Sequence, residues 1–404
     1  MPTAGIIGAG PSGLMAAETL LKRGISVYLY EAKPSIGRKF LMAGKSGLNI
    51  THAENLDDFL DKYDNDRVKL EPYIREFPPL VIREWTELLG VETFEGTSRR
   101  IFPKTMKTSP LLRKWLERLI SLGLKIHLKH KWSGLGPGSE LHFSTPKGLL
   151  NIKHDVTILA LGGASWPRLG SDANWLDMIS QQAVITFPFK PSNCGFNVEW
   201  SDTFKLRFSG APVKFCKLSV GGDDGVGDFN ITDYGIEGGV IYFHSRRIQN
   251  EIAKAGHAII KIDLIPEKST AELLERVSKA RGKNTLANHL RKTIRLNGVK
   301  TGLLREFTQP EKLKSATHLV DAIKSIQIRI TESQLIDRAI SSSGGISFEE
   351  LNEKLMITKI PGFFASGEML DWDAPTGGYL LTACLALGKS AANGALEWLD
   401  KEST

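Results

Sequence analysis

Cysteine is scarce. Cys194, Cys216 and Cys384 are the only three in 404 residues, they lie far apart, and none belongs to a C-x-x-C or C-x-x-x-x-C. That spacing excludes a disulfide framework, a thiolate zinc site and the dithiol chemistry of disulfide reductases. Long apolar runs are missing too: none approaches the ~18 residues that span a bilayer, and Met1–Gly10 reads as a strand and its turn, not as a charged-then-apolar leader. The expectation is a cytoplasmic protein with no membrane partner. Acids are absent from two stretches. Ser98–Lys114 holds Arg99, Arg100, Lys104, Lys107, Arg113 and Lys114 without one, and reads as a solvated basic face or the lining of an anionic-substrate groove. Arg276 to Arg305 holds nine basic residues (Arg276, Lys279, Arg281, Lys283, Arg291, Lys292, Arg295, Lys300 and Arg305) and no acid. This run reads as a solvated face or a phosphate-backbone contact, and it lacks the interleaved aromatics that stack on bases. The formal charge of +7 agrees with an anionic partner without requiring one. His127 and His130 have no carboxylate or cysteine near them in sequence, so no metal site is expected. At 404 residues, two or three domains are expected.

What is present is concentrated between Gly5 and His52. An apolar run, Ile6-Ile7, leads into Gly8, Gly10 and Gly13, which form a G-x-G-x-x-G. The first glycine permits a tight turn, the second lets pyrophosphate approach the backbone, and the third lets helix and strand pack closely. Pro11 suits the first helical turn, where its missing N–H costs nothing. Leu14, Ala17, Leu20 and Leu21 recur at helical spacing up to a stop at Gly24. The strand Ile25–Tyr30 then ends at Glu31, placed to accept from ribose hydroxyls. This is a dinucleotide-binding βαβ unit, and no second G-x-G-x-x-G exists to make a separate nicotinamide domain. The loop that follows carries Arg38, Lys39 and Lys45 among Gly37, Gly44 and Gly47, a composition able to wrap an anionic, oxygen-rich cofactor.

GAGPSGLMAAETL, E-A-x-P-x-x-G-R-K-F and G-K-S-G-L-N-I-T together resemble the BaiN/RdsA-like (YhiN-type) NAD(P)/FAD-dependent oxidoreductase family. Further on, Val156–Ser165 reads as a buried strand running into Gly162-Gly163, with Leu161 where the family has Thr. The stretch Ser165–Ser171 resembles S-Y-P-x-T-G-S, with Trp166 for Tyr and Leu169 for Thr, and Gly367-Glu368 through Asp371, Asp373 and Thr376-Gly377-Gly378-Tyr379 resembles the closing motif. The helix after it reads GGYLLTACLALG, where the larger branch of the family has G-G-Y-N-L-Q-x-A.

The resemblance implies FAD as cofactor. Its adenosine and pyrophosphate part would engage Gly8, Gly10, Pro11, Ser12, Gly13, Glu31 and Ala32, and Arg38, Lys39, Gly44, Ser46, Gly47 and Asn49 would bridge to the flavin. Gly162, Gly163, Gly367, Glu368, Thr376, Gly377, Gly378 and Tyr379 would hold the flavin end. Lys45, Asn49 and Asp373 are candidates to orient flavin or substrate, and Cys194 reads as a buried free thiol or a group reaching the flavin face.

Between these motifs, residues 53–66 and Pro72–Gly90 read as helical, with Leu80, Val81, Trp85, Leu88 and Leu89 as packing positions. Leu111–Leu122 reads as a helix and Lys125–Leu128 as a strand. From Phe187 the β-rich runs CGFNVEW, KLRFSG, VKFCKLSVGG and GGVIYFHS alternate with turns such as GGDDGVGD. Strand Ala258–Leu264, helices Ser269–Ala280, Thr285–Arg295 and Lys300–Phe307, and strand Ser325–Arg329 follow.

The expected fold class is α/β: a two-dinucleotide-binding-type, Rossmann-like FAD domain of residues 1–190 and 350–404. It is interrupted by an antiparallel β domain of 191–265 and 323–349 and a small helical insert of 266–322. The expected activity is that of an FAD-dependent oxidoreductase passing hydride from transiently bound NAD(P)H to an unsaturated small-molecule substrate held between the flavin and the inserted domains. Ribosomal RNA uridine reduction, flavin oxidase or monooxygenase chemistry, and a non-catalytic FAD-binding module stand as alternatives.

Overall fold

A computed structural model describes residues 1–44 and 47–402. The chain divides into two compact units, Met1–Lys190 with Ile340–Thr404, and Pro191–Ala339.

The first unit is built on a five-stranded parallel sheet in the order Phe363–Ala365, Val156–Leu159, Thr3–Ile7, Ser26–Glu31, Lys125–Leu128. The three central strands are apolar enough to be buried on both faces, as a parallel sheet requires: Ile6, Leu29 and Ile158 on one face and Ile7, Tyr30 and Leu159 on the other are all at most 1% exposed. The helix Pro11–Leu21 begins directly after the glycine turn, with Pro in its first turn. It packs against the long closing helix Tyr379–Glu402. That contact is close because Gly388 carries no side chain; a Cβ there would lie 2.2 Å from the Ser12 carbonyl oxygen. A three-stranded antiparallel meander, Lys131–Leu135, Leu141–Thr145 and Gly148–Ile152, connects the edge strand Lys125–Leu128 to Val156–Leu159. A second small sheet joins Thr51–His52, Arg100–Pro103 and Thr93–Glu95.

In helix Pro79–Leu88 the inward stripe is Ile82, Trp85 and Thr86, joined by Leu89 just beyond it. Leu80 and Leu88, expected as packing positions, are 67% and 77% exposed. His127 and His130 lie at the sheet edge, and the described residues hold no group of three or more metal-ligating side chains.

The second unit has a six-stranded antiparallel sheet in the order Phe196–Asn197, Gly235–Glu237, Asp223–Ile231, Pro212–Val220, Ala258–Asp263, Ile326–Ile330. Helices Thr270–Val277, Leu286–Ile294, Gly298–Phe307 and Ala316–Lys324 share its core: Leu273, Leu290 and Leu303 pack in one apolar cluster with Ile260, Ile262 and Ile328.

Three local expectations are corrected here. KLRFSG is mostly helix, Asp202–Phe208, capped by the Ser201 hydroxyl accepting from the Phe204 N–H at 3.2 Å. GGVIYFHS opens with helix Gly239–Phe243. GGDDGVGD, expected as a turn, is a turn only at Gly221-Gly222 and is strand from Asp223, where Gly225 and Gly227 leave room for Val240. At the second boundary, Ser341–Ile346 pairs with Thr186–Ser192, which brings the chain back to the first unit before residue 350.

Candidate cofactor site

The glycine turn separates into three different environments. Gly8 has φ +106°, and a Cβ there would lie 2.2 Å from the Ala160 carbonyl oxygen, so strand-to-helix geometry forbids a side chain. A Cβ on Gly13 would lie 2.0 Å from the Gly8 carbonyl oxygen. At Gly10, by contrast, nothing lies within 4 Å of the Cβ position. Two glycines are therefore required by the protein's own packing, and the middle one faces open space at the N-terminus of helix Pro11–Leu21. Unpaired N–H groups and the helix dipole make such a position favourable for phosphate.

Glu31 closes this turn from the next strand. Its carboxylate accepts from the Ala9 N–H at 3.1 Å and the Lys33 N–H at 2.8 Å. Burial pushes its carboxyl pKa up, and the two N–H bonds oppose that rise. Ala32 follows it on the same segment.

The expected site residues from distant parts of the chain meet here. The Ser12 and Ser366 hydroxyls are 2.8 Å apart, buried, and separated by 354 positions in the chain. Lys39 Nζ lies 2.6 Å from Glu368 Oε2 and 2.8 Å from Oε1, so the loop after the second strand is tied to the closing motif. Glu368 also accepts from the Ser342 N–H at 3.2 Å, and Ser342 Oγ accepts from the Ala164 N–H at 2.9 Å. A Cβ on Gly163 would strike Ser342 Oγ, and the Gly162 carbonyl accepts from Trp175 Nε1 at 2.9 Å. Gly378 has φ +95° and passes so close to Thr51 that a Cβ would lie 2.6 Å from its Cα. Thr51 and Thr382 share a buried hydroxyl contact of 2.9 Å. Gly44 and Gly47 abut Thr108 and Met106 respectively.

Other expectations are redistributed. The Tyr379 side chain is committed to packing: its ring stacks on Phe59 at 4.6 Å and its hydroxyl donates to Glu54 at 2.5 Å. Its backbone starts the closing helix just after Thr376-Gly377-Gly378. Asp373 accepts from the Ala374 N–H at 2.8 Å and donates its own N–H to Asp66 at 3.2 Å. Cys194 belongs to the second unit, 1% exposed, with its Sγ 3.3 Å from the Ser245 hydroxyl. Lys45 and Ser46 lie outside the described residues. Sequence reading missed Ser342, Ser366 and Thr382, because single hydroxyls on a returning strand or a helix carry no spacing signal.

The donor set fits a dinucleotide. Arg38 Nε, Asn49 Oδ1 and Ser171 Oγ are buried with no hydrogen-bond partner, as is Thr108 Oγ1 beside Gly44. Buried, unpaired polar atoms cost about 1–3 kcal/mol each. Together with the open Cβ position at Gly10, they match a ligand rich in nitrogen and oxygen.

The model for the HI0933-like protein Rossmann domain matches residues 3–394. The chain belongs to the HI0933-like family. Two relatives of this HI0933-like protein span nearly its whole length. One, from Clostridium scindens, is named 3-dehydro-bile acid delta(4,6)-reductase; it is 24% identical over 97% of this chain and 98% of its own. The other, from Haemophilus influenzae, is named ribosomal RNA dihydrouridine synthase; it is 23% identical over 93% of each chain. Among solved structures, the open conformation of a flavocytochrome c3 fumarate reductase aligns with TM-score 0.54 at 14% identity, covering 98% of this chain and 78% of its own. A 3-ketosteroid-delta4-(5alpha)-dehydrogenase from Rhodococcus jostii aligns with TM-score 0.52 at 14% identity, covering 97% and 96%. The HI0933-like chain thus has a Rossmann-type, FAD-binding α/β fold and is an oxidoreductase. None of its described helices is long and apolar enough to cross a membrane.

Proposed function

We propose that this HI0933-like protein is an FAD-dependent reductase that takes hydride from transiently bound NAD(P)H and delivers it, with a proton drawn from solvent, to a carbon–carbon double bond of a small unsaturated substrate. The observation that carries this reading is the convergence of both chain ends on the glycine turn, through Ser12 with Ser366 and Lys39 with Glu368. A cradle assembled from both motifs suits a cofactor longer than the first motif alone would hold. When bound, FAD supplies a two-electron carrier whose flavin ring accepts and returns hydride.

The chain's own residues have the positioning tasks. The N–H groups around Gly10 take the pyrophosphate, and Glu31 takes the adenosine ribose. Glu368, oriented by Lys39 and the Ser342 N–H, takes hydroxyls of the cofactor's central chain. The first turn of the closing helix offers N–H groups and a positive dipole end to negative charge at the flavin end. Arg38 Nε and Asn49 Oδ1 gain the partners they lack within the protein. The name of the Clostridium relative, a reductase of an unsaturated ring compound, supports the reaction class.

Anaerobic mixing of purified holoprotein with NADH and with NADPH tests the proposal. The oxidised flavin absorbance is expected to bleach with one of them and to return on adding an unsaturated acceptor. A band that never bleaches favours a non-catalytic FAD module, and rapid oxygen consumption with substrate favours an oxidase or monooxygenase.

A second reading, reduction of uridine in ribosomal RNA, has the name of the Haemophilus relative and the basic run behind it. Lys279, Arg281, Lys283, Arg291 and Arg295 are exposed on the second unit. Three members of the run are already engaged: Arg276 pairs with Glu272 at 2.9 Å, Lys292 Nζ donates to Asn284 Oδ1 at 3.0 Å, and Lys300 Nζ donates to the carbonyls of Leu264 and Phe215 at 2.6 and 3.0 Å. Binding to ribosomal RNA that weakens linearly in log–log form as salt rises would support this reading. Absence of binding at low salt would remove its local basis.

A further inference from the structure

The basic stretch Ser98–Lys114 does not behave as one surface. Arg99 donates to the Ala53 carbonyl at 2.6 Å and lies 3.7 Å from Glu95, Lys104 pairs with Glu92, and Lys114 lies 3.4 Å from Glu117. Arg100 has no acidic partner among the described residues and is half-buried.

Its strand explains where it points. Along Arg100–Pro103 burial alternates, with Ile101 and Pro103 buried and Arg100 and Phe102 partly open, so Arg100 and Phe102 share the outer face of the pleat. Across the ladder, Arg100 is the register partner of His52 and Phe102 that of Phe94. Cross-strand partners lie on one face, and the rings of Phe94 and Phe102 stack accordingly, with centroids 5.7 Å apart at an interplanar angle of 27°. One face of this small sheet therefore presents a cation, an imidazole and two stacked phenyl rings in a row.

This face adjoins the cofactor motifs at both of its ends. A Cβ on Gly377 would lie 3.8 Å from Arg100 Nε, and one on Gly47 would lie 2.7 Å from Met106 Cε and 3.9 Å from Phe102 Cε1. Phe94 stays 38% exposed, an apolar ring left open on this face. Burial and the nearby Arg100 and Arg99 lower the His52 pKa, against the opposing pull of Glu54. His52 Nδ1 itself faces the Glu54 carboxylate, at 3.4 Å.

We propose that this face is the substrate-recognition surface of the enzyme, taking a small anionic ring compound. Arg100 binds the carboxylate or phosphate, and Phe94 with Phe102 cover the ring that carries the reducible double bond. The inference rests on the FAD-reductase reading above. It adds the ligand class and names residues that hold substrate. A planar guanidinium suits a carboxylate or phosphate geometrically, and stacked aromatics select flat ligands over flexible chains.

The test uses oxidised holoprotein and reads changes in flavin absorbance on titration, without turnover. The probes are 1-naphthoate and its uncharged analogue 1-naphthamide, with 1-naphthyl phosphate and a short oligouridylate as further arms. A charge-assisted hydrogen bond corresponds to about tenfold or more in affinity, so naphthoate is expected to bind about tenfold tighter than the amide. Arg100→Met should abolish that ratio, Arg100→Lys should restore part of it, and Phe102→Ala should weaken both probes together. Tighter binding of naphthoate than of 1-naphthyl phosphate, which keeps the same ring, identifies the anion as a carboxylate, and the reverse order as a phosphate, provided Arg100→Met removes it. Equal binding of naphthoate and amide, or a ratio unchanged in Arg100→Met, overturns the proposal. So does selective oligouridylate binding that survives Arg100→Met. If the wild-type protein retains no FAD, the underlying functional reading fails instead, and the flavin band itself reports this before any probe is added.

Discussion

A Cβ at Gly8 or at Gly13 would meet a backbone carbonyl oxygen at 2.2 or 2.0 Å, whereas one at Gly10 meets nothing within 4 Å. This difference turns a familiar motif into a prediction at single positions. Gly8→Ala adds a clash to a positive φ and is expected to destabilise the fold by about 2–4 kcal/mol, and Gly13→Ala by about 1–3 kcal/mol through overpacking. Gly10→Ala should leave stability within about 0.5 kcal/mol while lowering FAD retention about tenfold or more. Urea unfolding of the apoprotein and the flavin-to-protein absorbance ratio separate the two effects. Gly10→Ala retaining full cofactor would refute the assignment of that opening to pyrophosphate. At this scale the glycine turn was legible because each glycine answers a local backbone demand. Arg100 was not legible, since six basic residues in one stretch look alike until the fold pairs Arg99, Lys104 and Lys114 with acids, leaves Lys107 and Arg113 exposed, and half-buries Arg100 without an acidic partner among the described residues.

The helix that leaves the glycine turn is fixed to its neighbours by one carboxylate. Glu18 is 1% exposed and accepts from Trp115 Nε1 at 2.7 Å, Trp85 Nε1 at 3.1 Å, Lys22 Nζ at 2.6 Å and Arg118 at 3.2 Å. It thereby holds three helices in register: its own, Pro79–Leu88 and Thr108–Ser121. Burial pushes its carboxyl up, but Lys22 and the two indoles outweigh that and hold the pKa below the usual carboxylate range. Glu18→Ala leaves two buried indole N–H groups unpaired and takes an acceptor from the Lys22 and Arg118 cations, for an expected loss of about 3–5 kcal/mol. Glu18→Gln keeps one acceptor and should lose less. Because the folded-state value is depressed, the ionised form's contribution is present above the ordinary value of 4.5 and fades as pH falls through the folded one. The stability gap between wild type and Glu18→Gln, measured in urea, should therefore narrow below about pH 4; a constant gap down to pH 3 would count against a charged Glu18.

Element types were readable where period and cap agreed, as in helix Leu286–Ile294 behind the Thr285 cap. They misled in KLRFSG and GGVIYFHS, whose β-branched and aromatic residues favour strand in isolation. There Phe204 and Phe208, four apart, form a helical stripe against Trp200 and Gly302, and Val240 sits over the side-chain-free Gly225 and Gly227. Tertiary packing overrode local propensity at both places.

At the scale of the whole chain, the two units differ in how their cores are assembled from the sequence. Pro191–Ala339 is continuous, and its sheet and helices share one buried cluster that includes Ile260, Ile328, Leu290 and Leu303. The expectation of a discontinuous unit came from the resemblance of the glycine turn and the closing motif to two parts of one cofactor site. The early return at Ser341–Ile346 was not legible, since that strand is recognised only by its partner, Thr186–Ser192. Residues 191–339 expressed alone are therefore expected to unfold cooperatively in urea, with a slope appropriate to the surface of a domain of that size. Residues 1–190 alone should not. They lack Phe363–Ala365, the strand that pairs with Val156–Leu159, and they lack the closing helix that covers Pro11–Leu21, which leaves Leu14, Ala17 and Ile158 without part of their burial. Adding residues 340–404 in trans should restore cooperative unfolding and FAD retention together, because the same contacts, Ser12 with Ser366 and Lys39 with Glu368, serve both. Restored folding without restored FAD would mean that the meeting of the two chain ends builds a core and not a cofactor cradle.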